Sequence, residues 1–252
     1  MDFLHLSDLH YHQDPADNQA ADQTMAYVQQ HYPNHYLIVT GDITDDGHSD
    51  QYRNAMRVLS PFLGRIFIVP GNHDFGALGN FYDRERAERF DEMLAGPLHQ
   101  GGSFHGYNQP VVNVVREGND AVMLIALDSN LETDSPFDFA CGEVGDGQLK
   151  GLDRILAQAG PAMKKIVLLH HHPFIVNDPF MELMDARKLM RAIYQRADVL
   201  MFGHKHESKL WGPKEVNGLS YALAADNSPG KAFARQLTVS GGRISVSDVP
   251  IA

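Results

Sequence analysis

The feature that most constrains this chain is a recurring unit: a short apolar run, then a turn rich in histidine, aspartate, asparagine and glycine. Residues 3–6 precede Asp8-Leu9-His10, 36–40 precede Gly41-Asp42, and 66–69 precede Gly71-Asn72-His73-Asp74. Farther on, 166–169 lead into His170-His171-His172-Pro173 and 199–202 into Gly203-His204-Lys205-His206. The apolar runs read as strands. In open α/β sheets, ligands bind beyond the carboxyl ends of the strands. Five such ends, converging, would gather several imidazoles and carboxylates around one crevice.

Amphipathic segments alternate with these runs, the pattern of an α/β domain. Helical spacing covers 19–30, 50–59, 81–94, 148–159 and 182–196, and 130–147 reads as an irregular loop. Strands are expected at 111–115 and 121–127, joined by a turn at 117–120. Two more, 233–239 and 244–249, flank Gly241-Gly242, a hairpin turn. With no repeat or linker in view, one domain over 1–252 is the simplest organisation.

The ligand spacings make chemical sense. Residues two apart in an extended segment point the same way, so Asp8 and His10, and His204 and His206, could each address one site. Mixed carboxylate and imidazole donors suit Zn, Mn, Fe or Co rather than Ca or Mg alone. Glycines before Asp42, Asn72 and His204 permit tight turns and close backbone approach. Strand alternation puts His170 and His172 on one side and His171 on the other, and the residues by themselves allow either parity. A lone histidine is more often structural or exposed than a ligand, the reading given to His12, His31, His35, His48 and His99. Asp128, at a strand end, is a candidate supporting residue; His105 and Asn177 read as loop residues.

Taken in order, Asp8-x-His10, Gly41-Asp42, Gly71-Asn72-His73-Asp74, His171-x-Pro173 and Gly203-His204-x-His206 resemble the calcineurin-like metallophosphoesterase superfamily. Within it the likeness is to the class III cyclic nucleotide phosphodiesterase and glycerophosphodiesterase branch, over about four-fifths of the chain. The resemblance implies a four-layer αββα sandwich of two mixed β-sheets flanked by helices. It implies two divalent metal ions (Mn, Fe, Zn or Co), one held by Asp8, His10, Asp42 and His206. The other would be held by Asp42, Asn72, His171 and His204, with Asp42 bridging. His73 matches the family's catalytic histidine, and Asp45 is a candidate for orienting it. Two ions roughly 3.5–4 Å apart would lower the pKa of a bridging hydroxide toward neutrality, with His73 as general acid for the departing oxygen.

Departures from related groups narrow the class. Asp45 stands where purple acid phosphatases carry a tyrosine ligand, and Asn72-His73-Asp74 differs from the Asn-Arg-Asp of the lipid A pathway hydrolases. Few Arg or Lys flank the motifs, which favours singly charged diesters over monoesters. The expected activity is hydrolysis of cyclic nucleotides or small phosphodiesters; a phosphomonoesterase, a nuclease, or a non-catalytic metal-binding scaffold are the alternatives. A net charge of -11 argues against long nucleic acids as partners. The single cysteine, Cys141, suits a reducing compartment. No apolar run approaches the roughly 18–20 residues of a membrane span, and no secretory signal is legible, so a cytoplasmic location is expected. The sequence leaves room for a homo-oligomer.

Overall fold

The computed structural model describes residues 1–79, 81–105, 108–130, 140–178, 180–228 and 230–252. Most of the expected 130–147 loop, residues 131–139, lies outside the described residues. The first sheet contains β1 (Asp2–Leu6), β2 (Tyr36–Thr40), β3 (Ile66–Val69), β12 (Phe233–Ser240) and β13 (Arg243–Pro250). Its order is β13-β12-β1-β2-β3, with β1, β2 and β3 parallel and β12 antiparallel to β1 and β13. The second sheet contains β6 (Val111–Glu117), β7 (Asp120–Ala126), β8 (Lys164–Leu168), β9 (Val199–Phe202), β10 (Lys209–Trp211) and β11 (Tyr221–Ala224). Its order is β10-β11-β9-β8-β7-β6, parallel from β7 through β11 and antiparallel at both edges. A small hairpin, β4 (Gly76–Ala77) and β5 (Phe81–Tyr82), stands apart.

Side-chain alternation along the second sheet builds the layers. Val122, Leu124, Ile166, Leu168, Val199 and Met201 share one core cluster with Phe3, Leu4, Ile38 and Val39 of the first sheet. Their neighbours Ile125, Val167, Leu169, Leu200 and Phe202 belong to a second cluster on the opposite face. There they meet Leu149, Leu152 and Leu156 of α5 (Gly145–Gln158), and Leu189 and Ile193 of α6 (Ala186–Ile193). Helices α1 (Gln19–His31) and α2 (Ser49–Leu59) bury Met25, Val28, Tyr52, Ala55 and Leu59 with the first sheet. Two mixed sheets between helices are the α/β sandwich expected, because strands apolar on both faces need cover on both.

Three boundaries differ from the sequence reading. The expected helix at 81–94 is divided: Phe81–Tyr82 is a strand, α4 covers Arg84–Phe90, and a π-turn follows at Asp91–Ala95. Asp83 starts α4, its carboxylate accepting from the N–H groups of Glu85 and Arg86. The expected helix at 182–196 is shorter, and α5 begins three residues before its expected start. Both follow from Asp185, which accepts from the Val144 and Gly145 N–H groups at the head of α5. Helix α3 (Asn72–Phe75) is a single turn at the end of β3.

His5, in the middle of β1, is fully buried, with Nε2 2.9 Å from Thr40 Oγ1. Burial, reinforced by the Arg235 guanidinium, lowers its pKa from 6.5 to about 3. The unfolded chain therefore binds this proton at higher pH than the folded one. The stability so contributed is fully present above about pH 6.5 and is lost as pH falls toward about 3. His5→Gln, compared with wild type in urea at matched metal loading, should lose stability less steeply between about pH 6 and pH 4. Equal slopes would show that His5 is not the group responsible.

Candidate metal centre

The turns after β1, β2 and β9 do not continue as extended chain. Asp8, His10, Asp42, His204 and His206 all have left-handed backbones, with φ of 59°, 46°, 48°, 76° and 52°. Each such conformation costs a non-glycine residue about 1–2 kcal/mol. Asp8 and His10 thus converge because the chain coils back, not because alternate residues of a strand share a face. Cross-turn hydrogen bonds hold the coil: Asp8 N–H donates to Gly41 O (3.1 Å), His10 N–H to Asp42 O (3.0 Å), and Tyr11 N–H to Ile43 O (2.9 Å). Gly41 itself is left-handed at φ 86°, and a Cβ there would fall 2.5 Å from His170 Nδ1. Gly203 needs no unusual φ; a Cβ would collide with Ser7 Oγ and approach Asp8 Oδ2 to 2.7 Å.

Two groups of donor atoms share one carboxylate oxygen. Asp42 Oδ2 lies 3.9 Å from His10 Nε2 and 3.2 Å from His170 Nε2. On the first side, His10 Nε2 is 3.4 Å from His206 Nε2, which is 3.7 Å from Asp8 Oδ1. Ligand atoms of Asp8, His10, Asp42 and His206 all fall within 4.8 Å of one another. On the second side, Asn72 Oδ1 lies 3.0 Å from both His170 Nε2 and His204 Nδ1, and those two nitrogens are 3.3 Å apart. Asn72 Nδ2 donates to Gly79 O (2.8 Å), which turns the amide oxygen into this group.

The second group tests its own chemistry. His170 Nδ1 is 2.8 Å from Thr40 O and must carry the proton there, so in the neutral ring Nε2 bears a lone pair. That lone pair faces a carboxylate oxygen, an amide oxygen and another imidazole nitrogen. A metal cation would satisfy all four atoms at once; a second proton on His170 satisfies the Asp42 oxygen alone. Burial alone would lower the His170 pKa, yet the Asp42 carboxylate outweighs it and holds the ring up to about 9. Burial would likewise raise Asp42, but His170 overrides it and keeps the carboxyl well below its usual range. Asp8, with burial dominant, is pushed up to about 7. These residues fit a pair of divalent cations sharing Asp42.

The sequence reading gave this position to His171; in the structure His170 Nε2 is the atom that meets Asp42, Asn72 and His204. Ile166 and Leu168 face the other sheet while Val167 and Leu169 face the helices; beyond the strand, the His171 ring lies 4.5 Å from that of His204, its Nε2 buried without a hydrogen-bond partner. The His171 ring is fully buried with Nδ1 2.8 Å from Ser129 Oγ, and burial, with His204 and His170 nearby, holds its pKa well below 6.5. His172 packs edge-on against Phe202 and Trp211.

His73 lies beside the first group, its ring edge-on to His10 at 4.7 Å. Its N–H donates to Asp42 Oδ1 (3.0 Å) and its Nδ1 is 2.7 Å from the main-chain oxygen of Asp45. Burial opposes the charged ring, but Asp42 and Asp45 prevail and raise its pKa. Asp45 thus meets His73 through its main-chain carbonyl. Its carboxylate lies 3.7 Å from His10 Nδ1 and 3.4 Å from His12 Nδ1, and within 4.8 Å of a His73 ring nitrogen. Three supporting residues escaped sequence reasoning. Asp74 accepts from the N–H groups of Ile43, Thr44 and Gly71 and from Thr44 Oγ1, tying the β2 and β3 turns together. Its place inside Gly-Asn-His-Asp was the available signal. Ser129 and Gly79 carried none. Asp128, flagged at its strand end, orients Asn130, whose amide reaches Pro70 O. His105 bonds Tyr82 Oη.

Known proteins resemble this arrangement at two levels. Residues 1–208 match the family of calcineurin-like phosphoesterases. The chain belongs to this family. Among curated relatives, the 3',5'-cyclic adenosine monophosphate phosphodiesterase CpdA of Vibrio vulnificus is 27% identical over 177 residues, 68% of this chain and 54% of that protein. A protein of Rhodopseudomonas palustris named "Probable cyclic nucleotide phosphodiesterase" is 27% identical over 247 residues, 90% of this chain and 81% of its own. The chain thus spans about half the length of the CpdA relative. A dimetal phosphatase from Danio rerio shares the fold at TM-score 0.70 and 15% identity, covering 100% of this chain and 98% of its own.

Two outcomes follow from the geometry. His170→Asn should lower the metal bound after dialysis from about two ions per chain to about one, whereas His171→Asn should keep both. Elemental analysis decides, and the reverse pattern would restore His171. Asp45→Asn leaves the carbonyl on His73 in place and should cost less than about tenfold in kcat, against about 10²–10⁴ for His73→Asn.

Proposed function

We propose that this protein is a phosphodiesterase dependent on two divalent metal ions, acting on cyclic nucleotides or small phosphodiesters. The observation that carries the reading is the shared Asp42 oxygen between two groups of nitrogen and oxygen donors, with His73 directly alongside. Asp8, His10, Asp42 and His206 would hold one ion, and Asp42, Asn72, His170 and His204 the other. Mn, Fe, Zn or Co suits this donor set. Bound there, the ions would supply an activated water and offset the negative charge gathering on phosphate oxygens.

The chain's own residues supply the rest. Asp42 Oδ1 and the Asp45 carbonyl fix His73 from two directions. The carbonyl holds the proton on Nδ1, so Nε2 is the atom that can hand a proton to the departing oxygen. Gly79 O keeps the Asn72 oxygen turned inward, and Asp74 locks the two turns that carry Asp42 and His73. Nearby cations are already engaged: Arg86 with Asp46 (2.6 Å), Lys205 with Glu207 (3.1 Å) and Lys231 with Asp226 (2.8 Å). A second negative charge on a monoester would find them partly neutralised, which favours the singly charged diester. Cyclic nucleotides enter as candidates because the Vibrio relative is named for one.

No helix among the described residues is long and apolar enough to cross a membrane. We assign water-soluble small esters as substrates rather than nucleic-acid polymers, in keeping with the net charge of -11. The decisive assay loads the protein with Mn, Fe, Zn or Co and compares bis(p-nitrophenyl) phosphate, p-nitrophenyl phosphate, and 3',5'- and 2',3'-cyclic AMP. The diesters should be turned over faster than the monoester, and chelation should abolish both activities. A monoester preference would move the assignment to phosphomonoesterase; hydrolysis under no metal would remove it.

A further inference from the structure

The hairpin of β4 and β5 ends in two residues with left-handed backbones, Leu78 at φ 54° and Gly79 at φ 68°. For leucine this geometry is unfavourable by about 1–2 kcal/mol, so something must hold it. Leu78 N–H donates to Asp46 Oδ1 (3.0 Å), and Arg86 anchors that carboxylate. Gly79 N–H donates to Gly76 O (3.1 Å), and Gly79 O receives Asn72 Nδ2 (2.8 Å). The tip is thus pinned on three sides, close to both Asn72 and His73.

A Cβ at position 79 would collide with His73 Nε2 and lie 2.6 Å from His73 Cδ2 and 2.9 Å from Asn72 Nδ2. The same nitrogen is the free end of the ring, since Nδ1 is committed to Asp45 O. Loop-tip glycines are commonly explained by their backbone alone. Here the missing side chain also clears the atom that must meet a substrate.

We propose that Gly79 is a positioning residue that keeps His73 Nε2 open to the leaving oxygen of a phosphodiester. The inference rests on the assignment of His73 given above and names the side of the site where the alcohol departs. As the P–O bond breaks, its electron pair stays with the leaving oxygen, which takes the proton from Nε2. Water supplies the oxygen gained by phosphorus and returns a proton to the imidazole. Esters of weakly acidic alcohols depend on that proton, whereas a nitrophenolate leaves without it.

The test uses the full chain loaded with Mn, as wild type, Gly79→Ala and Gly79→Asn. Asparagine tolerates a left-handed backbone better than alanine does, so the pair separates backbone strain from an occupied space; melting curves and metal content confirm that each variant is folded and loaded. The first readout is independent of turnover: carbethoxylation of His73 by diethyl pyrocarbonate, mapped by mass spectrometry against exposed His31 in the same sample. Both variants should label at His73 about tenfold more slowly relative to His31, because a side chain fills the approach to Nε2. The second readout compares methyl phenyl phosphate with methyl 4-nitrophenyl phosphate. Loss should reach about a hundredfold on the phenyl ester and be much smaller on the nitrophenyl ester. Unchanged His73 labelling in a folded variant overturns the proposal, as does equal loss on the two esters, or rescue by asparagine. A wild-type protein inactive on both esters would instead sink the phosphodiesterase reading, while the labelling still decides whether Gly79 clears Nε2.

Discussion

The structure depends on where the Asp42 carboxylate sits. It is almost wholly buried at the end of β2, one oxygen facing imidazoles carried by different sheets, the other receiving the His73 N–H. An anion so placed is costly unless positive charge meets it. Asp8 lies nearby, also fully buried, and compounds that cost. Protons on His170 answer part of it. A pair of metal cations answers it more completely, which is why the donors come from strand ends that only the packed sheets bring together.

The local cost is visible in the backbone. Left-handed geometry at Asp8, His10, Asp42, His204 and His206 would be a liability in a loop with nothing else to hold it. Here the turns after β1 and β2 hydrogen-bond to one another, and Asp74 fastens the β2 turn to the β3 turn through three contacts. The strain is distributed over a buried network rather than left to solvent-exposed chain, so the backbone itself aims the side chains.

Much of this was legible in the chain. The strand-end motifs announced the donors, and the alternation of apolar runs with amphipathic segments announced an α/β sandwich. What pattern left open was finer geometry. His170-His171-His172 offers three chemically identical candidates, and a short motif with proline did not say which parity faces the partner sheet. Asp45 offered a carboxylate, yet its main-chain oxygen makes the contact, an atom every residue has. The 81–94 segment carried helical charge spacing throughout, but the helix starts only at the Asp83 cap, after Phe81 and Tyr82 have paired with Ala77 and Gly76.

Residue type and order alone determined the class of chemistry: which donors exist, that they follow strands, and that their mixture suits transition-metal cations. Periodicity determined the fold class, because apolar strands must be covered. Tertiary structure alone decided that His170 faces Asp42, that the Asp45 carbonyl meets His73, and that Gly79 stands against His73. Those outcomes rest on which face of a strand meets the other sheet and on distances of a few ångströms between segments far apart in the chain. A linear pattern encodes neither, because each is settled only when the two sheets pack.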